Sequence, residues 1–273
     1  MMKHSRGIYI LNALLALTLL LLTLCTFYLS QKEASASISF TTDTPSISPS
    51  TLALSEADQK ISAYAASHGL RAEDYPQSLS DLLARNPETE QFVLEYPTAS
   101  LDVWTGNLSE YGTDTVPLLM QWDQRWGYRQ YGENYAALTA CGPVCLSMAA
   151  YYLTGDAELT PVYMMDFAEE NGYCVTGDGT SWTLFSEGAQ MLGLDVTEIP
   201  LDEDRILDNL EAGNPIICAM GPGDFTTSGH YIVMVGCSGV MIQINDPNSY
   251  ANSQKMWRYE DIASQIENLW VLR

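Results

Sequence analysis

Apolar and polar positions divide this chain into stretches of distinct character. An almost unbroken apolar run extends from Ile8 to Leu29, interrupted only by Asn12 and a few hydroxyl side chains, with Lys3 and Arg6 ahead of it. A segment rich in Ser, Thr and Pro and nearly free of charge follows from Ser37 to Ser55, a composition that suits an extended linker. From Glu56 the apolar positions take helical spacing. Ile61, Tyr64 and Ala65 share a face, and His68-Gly69 supplies a C-terminal stop. Tyr75-Pro76 opens a second helical stretch through Leu79, Leu82 and Leu83. Asn86-Pro87 breaks it, and Glu88 to Tyr96 forms a third piece around Phe92 and Val93. Residues 56–112 thus read as a helical accessory segment without chemistry of its own, with docking or inhibition of a neighbouring site as open roles.

Beyond Thr115 the pattern changes. Val116 to Met120 has strand character, while Cys141–Leu153, Thr160–Glu170 and Leu201–Ala212 have helical periodicity, the last closed by Gly213. Three strand-like runs follow, Pro215–Met220, Tyr231–Cys237 and Val240–Ile244. Helices followed by a group of strands is the α+β order, and no internal repeat interrupts it. The expected organisation is a targeting element (1–36), a linker (37–55), the helical segment (56–112) and a body (115–273).

Charge narrows the partners. Acidic residues outnumber basic ones 34 to 12, a formal net charge of −22, which disfavours nucleic acid and anionic lipid head groups. The apolar run from Ile8 to Leu29 exceeds the roughly 7–15 residues of a cleaved signal and is long enough to span a bilayer. Ala34-Ser35-Ala36, however, resembles a small-residue cleavage site. Residues 1–36 are therefore either a signal peptide or a signal-anchor, and both readings export the body. The expected location is extracellular or membrane-anchored, with the membrane touched only through this segment. Cys25 lacks the small preceding residue that lipidation requires. The other five cysteines, Cys141, Cys145, Cys174, Cys218 and Cys237, are odd in number, so at least one is free or pairs between chains.

Histidine is scarce, and that is informative. His4 lies in the targeting element and His68 in the helical segment, so His230 is the only imidazole of the body. Cys141-Gly142-Pro143 stands directly before the apolar run Val144, Met148, Ala149, Tyr152 and Leu153. Proline is favoured in the first helical turn, which puts Cys141 at the helix N-terminus. The macrodipole there favours negative charge and hence the nucleophilic thiolate. Alone, the same position suits a merely small capping residue. A hairpin adds the third group. If Cys237-Ser238-Gly239 forms a three-residue loop with glycine last, His230 falls directly opposite Asp246, with Cβ atoms about 5 Å apart. That face also carries Ile232, Met234, Ile242 and Ile244, an apolar surface for the helix of Cys141. A two-residue loop would separate His230 and Asp246 onto opposite faces. Together the three residues form a nucleophile, a general base and a group that orients the base.

The stretches VPLLMQWDQRWG (116–127), ACGPVCLSM (140–148), LTG (153–155), GTSW (179–182), GHYIVMVG (229–236) and INDPN (244–248) resemble extracellular cysteine peptidases related to the leader-processing domains of double-glycine bacteriocin exporters. The resemblance covers Val116 to Arg273. It implies a papain-like α+β fold, with a nucleophile-bearing helix packed on an antiparallel sheet, and a Cys141, His230, Asp246 triad. It also implies a glutamine that donates to the oxyanion, Gln121 by position with Gln124 as fallback. The exporters' membrane spans and nucleotide-binding domain have no counterpart in the stretches that match.

Weaker signals change little. Cys141 and Cys145 lie one turn apart but lack the partners of a zinc site. Asp202, Glu203, Asp204, Asp208 and Glu211 read as a solvated helix face. Trp122, Trp126 and Trp182 suit either core or cleft, and Gly221-Pro222-Gly223 suits a flap rather than a phosphate loop. No metal or cofactor is expected. The expected partner is a peptide or protein substrate. Acyl transfer or cell-wall amide hydrolysis on the same triad, and a non-catalytic binding module, remain as alternatives.

Overall fold

The computed structural model describes residues 55–177 and 179–273. The targeting element and all of the linker but Ser55 lie outside these residues. Helix α1 (Glu56–His68) starts at a capping box, in which the Ser55 hydroxyl accepts the Asp58 N–H and the Asp58 carboxylate accepts the Ser55 N–H. It stops at Gly69, whose φ of 67° is left-handed. Helix α2 (Gln77–Arg85) ends before Pro87, as the missing N–H requires, and a short turn leads into α3 (Glu90–Glu95). The apolar faces converge on Ile61, Leu79, Leu83, Phe92 and Val93. The same cluster takes in Tyr128 and Ala137 from the body. The Phe92 and Tyr128 rings stack with centroids 4.1 Å apart.

The body opens with a small hairpin, β1 (Gln130–Tyr131) and β2 (Asn134–Tyr135), and a single-turn α4 (Ala136–Thr139). Then come α5 (Cys141–Thr154) and α6 (Pro161–Glu170), the latter capped by the Thr160 hydroxyl on the Tyr163 N–H. A second small hairpin, β3 (Cys174–Val175) and β4 (Gly179–Thr180), precedes α7 (Ala189–Met191), β5 (Val196–Glu198) and α8 (Glu203–Glu211). The remaining elements are β6 (Ile216–Met220), β7 (His230–Ser238), β8 (Met241–Asn245), α9 (Tyr250–Ser253), β9 (Met256–Arg258), α10 (Tyr259–Ile262) and β10 (Ile266–Leu272). The main sheet is antiparallel throughout, in the order β5-β10-β6-β7-β8-β9. This is the expected α+β class.

Each face of the sheet has its own core. Helix α5 is buried along its length from Gly142 to Tyr151 and lies on the face carrying Ile217, Ala219, Tyr231, Val233 and Trp270. Ile216, Cys218, Ile232, Met234, Ile242 and Ile244 point to the opposite face, where Ile206 and Leu210 of α8 cover them. The face expected under the Cys141 helix therefore packs under α8 instead. The amphipathic α8 turns its Ile206 and Leu210 stripe inward and leaves its acidic side in water, as that charge pattern requires.

Two further expectations are corrected. Val116–Met120 joins no strand: Pro117 cannot donate to a ladder, the Asn245 side-chain amide takes the Val116 and Pro117 carbonyls at 3.1 and 3.0 Å, and the Leu119 N–H faces the Met148 sulfur. The β7–β8 hairpin turns through two residues, Gly239-Val240, and not three. Ser238 pairs with Met241, and Gly239, with φ 58°, holds the first turn position.

Candidate active site

The hairpin register decides whether His230 and Asp246 meet. A two-residue turn alone would set them on opposite faces. The ladder, however, shifts between Gly236↔Gln243 and Met234↔Ile244, with Val235 as an extra residue in a bulge. The added residue reverses the parity and returns both side chains to one side. They are diagonal neighbours, since Val233 pairs with Asn245, and not the directly opposed partners expected. His230 Nε2 donates to Asp246 Oδ1 at 2.8 Å. Asp246 is fully buried with both oxygens hydrogen-bonded: Oδ1 also accepts the Asn248 N–H at 2.8 Å, and Oδ2 accepts Asn252 Nδ2 at 3.0 Å. The Asp246 N–H donates to Ser253 Oγ at 2.9 Å. Helix α9 is therefore a clamp on the carboxylate, contributed by residues for which no local pattern signalled a role.

With Nε2 committed to the carboxylate, Nδ1 is the ring nitrogen left for Cys141, which lines the same cleft and interacts with the imidazole. Burial favours a neutral ring, but the Asp246 carboxylate outweighs it through charge and hydrogen bond. Cys141 adds to this, and the His230 pKa is raised to about 10. Cys141 is the first residue of α5 and half-buried. One turn on, Cys145 is fully buried, and burial pushes its thiol well up, as it does that of Cys218. Among the described residues all five cysteines are free thiols.

Cys141 and His230 open into a cleft of about 770 Å³. Thr139, Gly179, Thr180, Ser181 and Trp182 form one side, and Ala219, Met220, Ser228, Gly229 and Glu267 contribute the other. The Thr180 wall is pinned closely. Its carbonyl accepts the Tyr231 hydroxyl at 2.7 Å, and its own hydroxyl bonds that of Tyr131 at 2.9 Å. A Cβ at Gly142 would come within 2.8 Å of Thr180, so only glycine admits this approach at the start of α5. Of the three tryptophans considered from the sequence, Trp182 lines the cleft and Trp126 is core. Trp122 is half-buried, with Nε1 donating to the Asn248 carbonyl at 3.0 Å. Gly221-Pro222-Gly223 is tied down by the Gly221 N–H on the Gln265 carbonyl at 2.7 Å and is not part of the cleft lining.

Gln121 is buried between the two halves of the site. Its N–H donates to the Pro247 carbonyl at 2.8 Å and its Nε2 to the Ala137 carbonyl at 2.7 Å, while Oε1 is buried without a hydrogen-bond partner. It ties the residue after Asp246 to the turn before Cys141 and does not itself line the cleft. Gln124 gives its amide to Glu95 on the exposed surface, away from the cleft. No group of three or more His, Cys, Asp or Glu arranged to hold a metal ion is present among the described residues.

Comparison with known proteins identifies the family. The chain matches the Peptidase_C39 like family over residues 113–273. It is similar to the crystal structure of the peptidase domain of Streptococcus ComA, a bi-functional ABC transporter involved in a quorum sensing pathway. There the TM-score is 0.40 and the identity 20%, covering 50% of this chain and 91% of that one. It is also similar to the crystal structure of a protein described as a C39-like peptidase from Bacillus anthracis, with TM-score 0.38 and 15% identity, covering 59% of this chain and 96% of that one. Among curated proteins none matches. The body built around Cys141 and His230 thus has the papain-like α+β fold, and the chain belongs to the Peptidase_C39 like family of cysteine peptidases.

Proposed function

We propose that the protein is an exported peptidase that cleaves peptide bonds through a Cys141 thiolate, with His230 as general base and acid and Asp246 as the group that orients it. The observation that carries this reading is the convergence of three groups: a helix-first thiol in a cleft, in the same cleft an imidazole with which it interacts, and a buried carboxylate that locks the Nε2 of that imidazole. Sγ attacks the substrate carbonyl carbon, and the thiol proton resides on His230 Nδ1. Collapse of the tetrahedral adduct breaks the C–N bond, and the imidazolium passes that proton to the departing amine. Water then attacks the thioester, giving its proton to His230, which returns it to sulfur as the acid product leaves. The negative oxygen is held by the Cys141 N–H at the start of α5; Gln121, buried behind the cleft lining, keeps one Nε2 hydrogen beyond that engaged by Ala137 and supplies the second donor when its amide turns toward the bound substrate. Export rests on the apolar run from Ile8 to Leu29; among the described residues no helix is long and apolar enough to cross a membrane.

Peptide hydrolysis assayed with a quenched-fluorescent library should be abolished in Cys141→Ala and His230→Ala. Gln121→Ala should lower kcat about 10²-fold or more, the scale of a lost oxyanion donor. Turnover that survives Cys141→Ala removes the proposed nucleophile. Product carrying an added amine in place of water would reassign the reaction to acyl transfer on the same residues.

A further inference from the structure

Among the described residues, the cleft carries one charge that the chemistry does not use. Of those lining it, Glu267 is the sole carboxylate; apart from Cys141, His230 and Tyr231, the rest are Thr, Ser, Gly and apolar side chains. The carboxylate is exposed and makes no hydrogen bond or ion pair with any described residue. By contrast, the Asp224 carboxylate on the adjoining loop accepts from the Gln265 side chain at 2.6 Å. In a protein of net charge −22, an unpartnered acid facing a substrate cleft is set to repel acidic peptides and attract cationic ones.

Its placement is built into the sheet. Ile266 of β10 pairs with Met220 of β6, and Met220 pairs with His230 of β7. The β10–β6 ladder shifts between Ile266 and Asn268, so Glu267 is the extra, bulged residue. Bulges beside active sites re-aim a side chain out of the strand's alternation. Room for the carboxylate comes from Gly221, where a Cβ would lie 2.8 Å from Glu267 Oε1. Two strand spacings separate Glu267 from His230, about 10 Å, which is about three residues of extended peptide. Trp182, 45% exposed in the same cleft, offers a ring face to an aliphatic stem or a cation.

We propose that Glu267 makes this cleft a cation-recognising subsite, so that preferred substrates carry Lys, Arg or a free amino terminus within about three residues of the cleaved bond. The proposal rests on the peptidase reading for its substrate, although the recognition itself does not require turnover. It is tested with paired peptides that differ only by Arg, Gln or Glu at each position flanking the cleavage site. A charge-assisted contact predicts about a tenfold advantage in kcat/KM for Arg over Gln at one position. That advantage should be lost in Glu267→Gln, reversed toward Glu in Glu267→Lys, and diminished by salt. Equal kcat/KM for Arg and Gln at every position, or an Arg preference unchanged in Glu267→Gln, overturns it. Alkylation of Cys141 by matched cationic and neutral peptidyl electrophiles separates this question from catalysis. Faster labelling by the cationic reagent, lost in Glu267→Gln, supports the subsite even where no peptide is hydrolysed, an outcome that sinks the peptidase reading alone. Equal labelling rates sink the subsite.

Discussion

At the scale of single residues, Asp246 has the most to explain, because a fully buried carboxylate is costly unless it is paired and hydrogen-bonded. Here the partners are His230, the Asn248 N–H and Asn252. The consequence is a charged His230. Its pKa rises from 6.5 to about 10, with burial working against the shift and the Asp246 carboxylate overcoming it. The sign is that of a group protonated more readily in the folded state. The stability it contributes is complete below about pH 6.5 and is lost as pH rises through about 10. The alkaline limb of activity should follow the same group, because loss of the ring proton removes the acid for the leaving amine. Asp246→Asn keeps an oxygen for His230 Nε2 and the Asn248 N–H, and Asn252 can turn its amide to meet the new NH₂. Without the negative charge, the alkaline limb of kcat/KM should fall by about one pH unit or more. The loss of melting temperature from pH 7 to pH 10 should also be shallower than in the parent. An alkaline limb that stays in place would mean that another group sets His230's charge.

Among the elements, the β7–β8 hairpin and α9 supply the geometry that the triad needs. The residue types were legible in the chain: one body histidine, a Cys-Gly-Pro at a helix start, and an Asp before Pro247. Two helix ends were legible too, because Gly69 and Pro87 act through local rules of capping and ring closure, whereas the caps Ser55 and Thr160 were read as linker and helix. The register was not. Gly239 can close either a three-residue or a two-residue turn, and a bulge at Val235 leaves no mark in an apolar run. Strand β10 escaped notice for a related reason: Glu267 and Asn268 interrupt its apolar pattern, and its neighbours β5 and β6 lie far back in sequence. The contribution of the helical segment was equally hidden. Glu88, in the turn between α2 and α3, accepts the Ser249 hydroxyl at 2.9 Å and the Tyr250 and Ala251 N–H groups at 2.6 and 3.2 Å. It thereby caps α9, the element that holds Asp246. Glu88→Ala leaves those donors without this acceptor and should cost about 1–2 kcal/mol. That corresponds to a fall of several degrees in melting temperature at this chain length. Glu88→Gln, which keeps one acceptor oxygen, should lose less. Equal melting temperatures for the parent and Glu88→Ala would show that α9 needs no cap from this turn.

For the whole molecule, these contacts bear on what the helical segment is for. None of the described residues lining the cleft belongs to 56–112, so the segment does not occlude the site as an inhibitory propeptide would. It instead shares a core with the body. Phe92 and Val93 pack with Tyr128 and Ala137, and half-buried Trp122, Tyr135 and Leu138 lie against the same cluster. The Tyr128 hydroxyl donates to the Phe92 carbonyl at 2.7 Å, and Asn86 Nδ2 donates to the Asn248 carbonyl at 2.6 Å, two residues past Asp246. Large aromatics bury roughly 150–250 Å² each. At about 25 cal/mol per Å², uncovering several of them forfeits several kcal/mol, a large part of the ~5–15 kcal/mol by which a domain is stable. Ala137 and Leu138 also belong to α4, which leads directly into Cys141, so the damage would reach the nucleophile. A chain beginning after residue 98 should therefore be less soluble, melt at lower temperature and label more slowly at Cys141 than one beginning at residue 55. Comparison of the two by thermal unfolding and by Cys141 alkylation rate checks this. A stable truncated chain that turns over substrate faster than the longer one would make the segment an inhibitor after all. The shared core and the cap on α9 argue the reverse: the segment is structural support for the Asp246 side of the site.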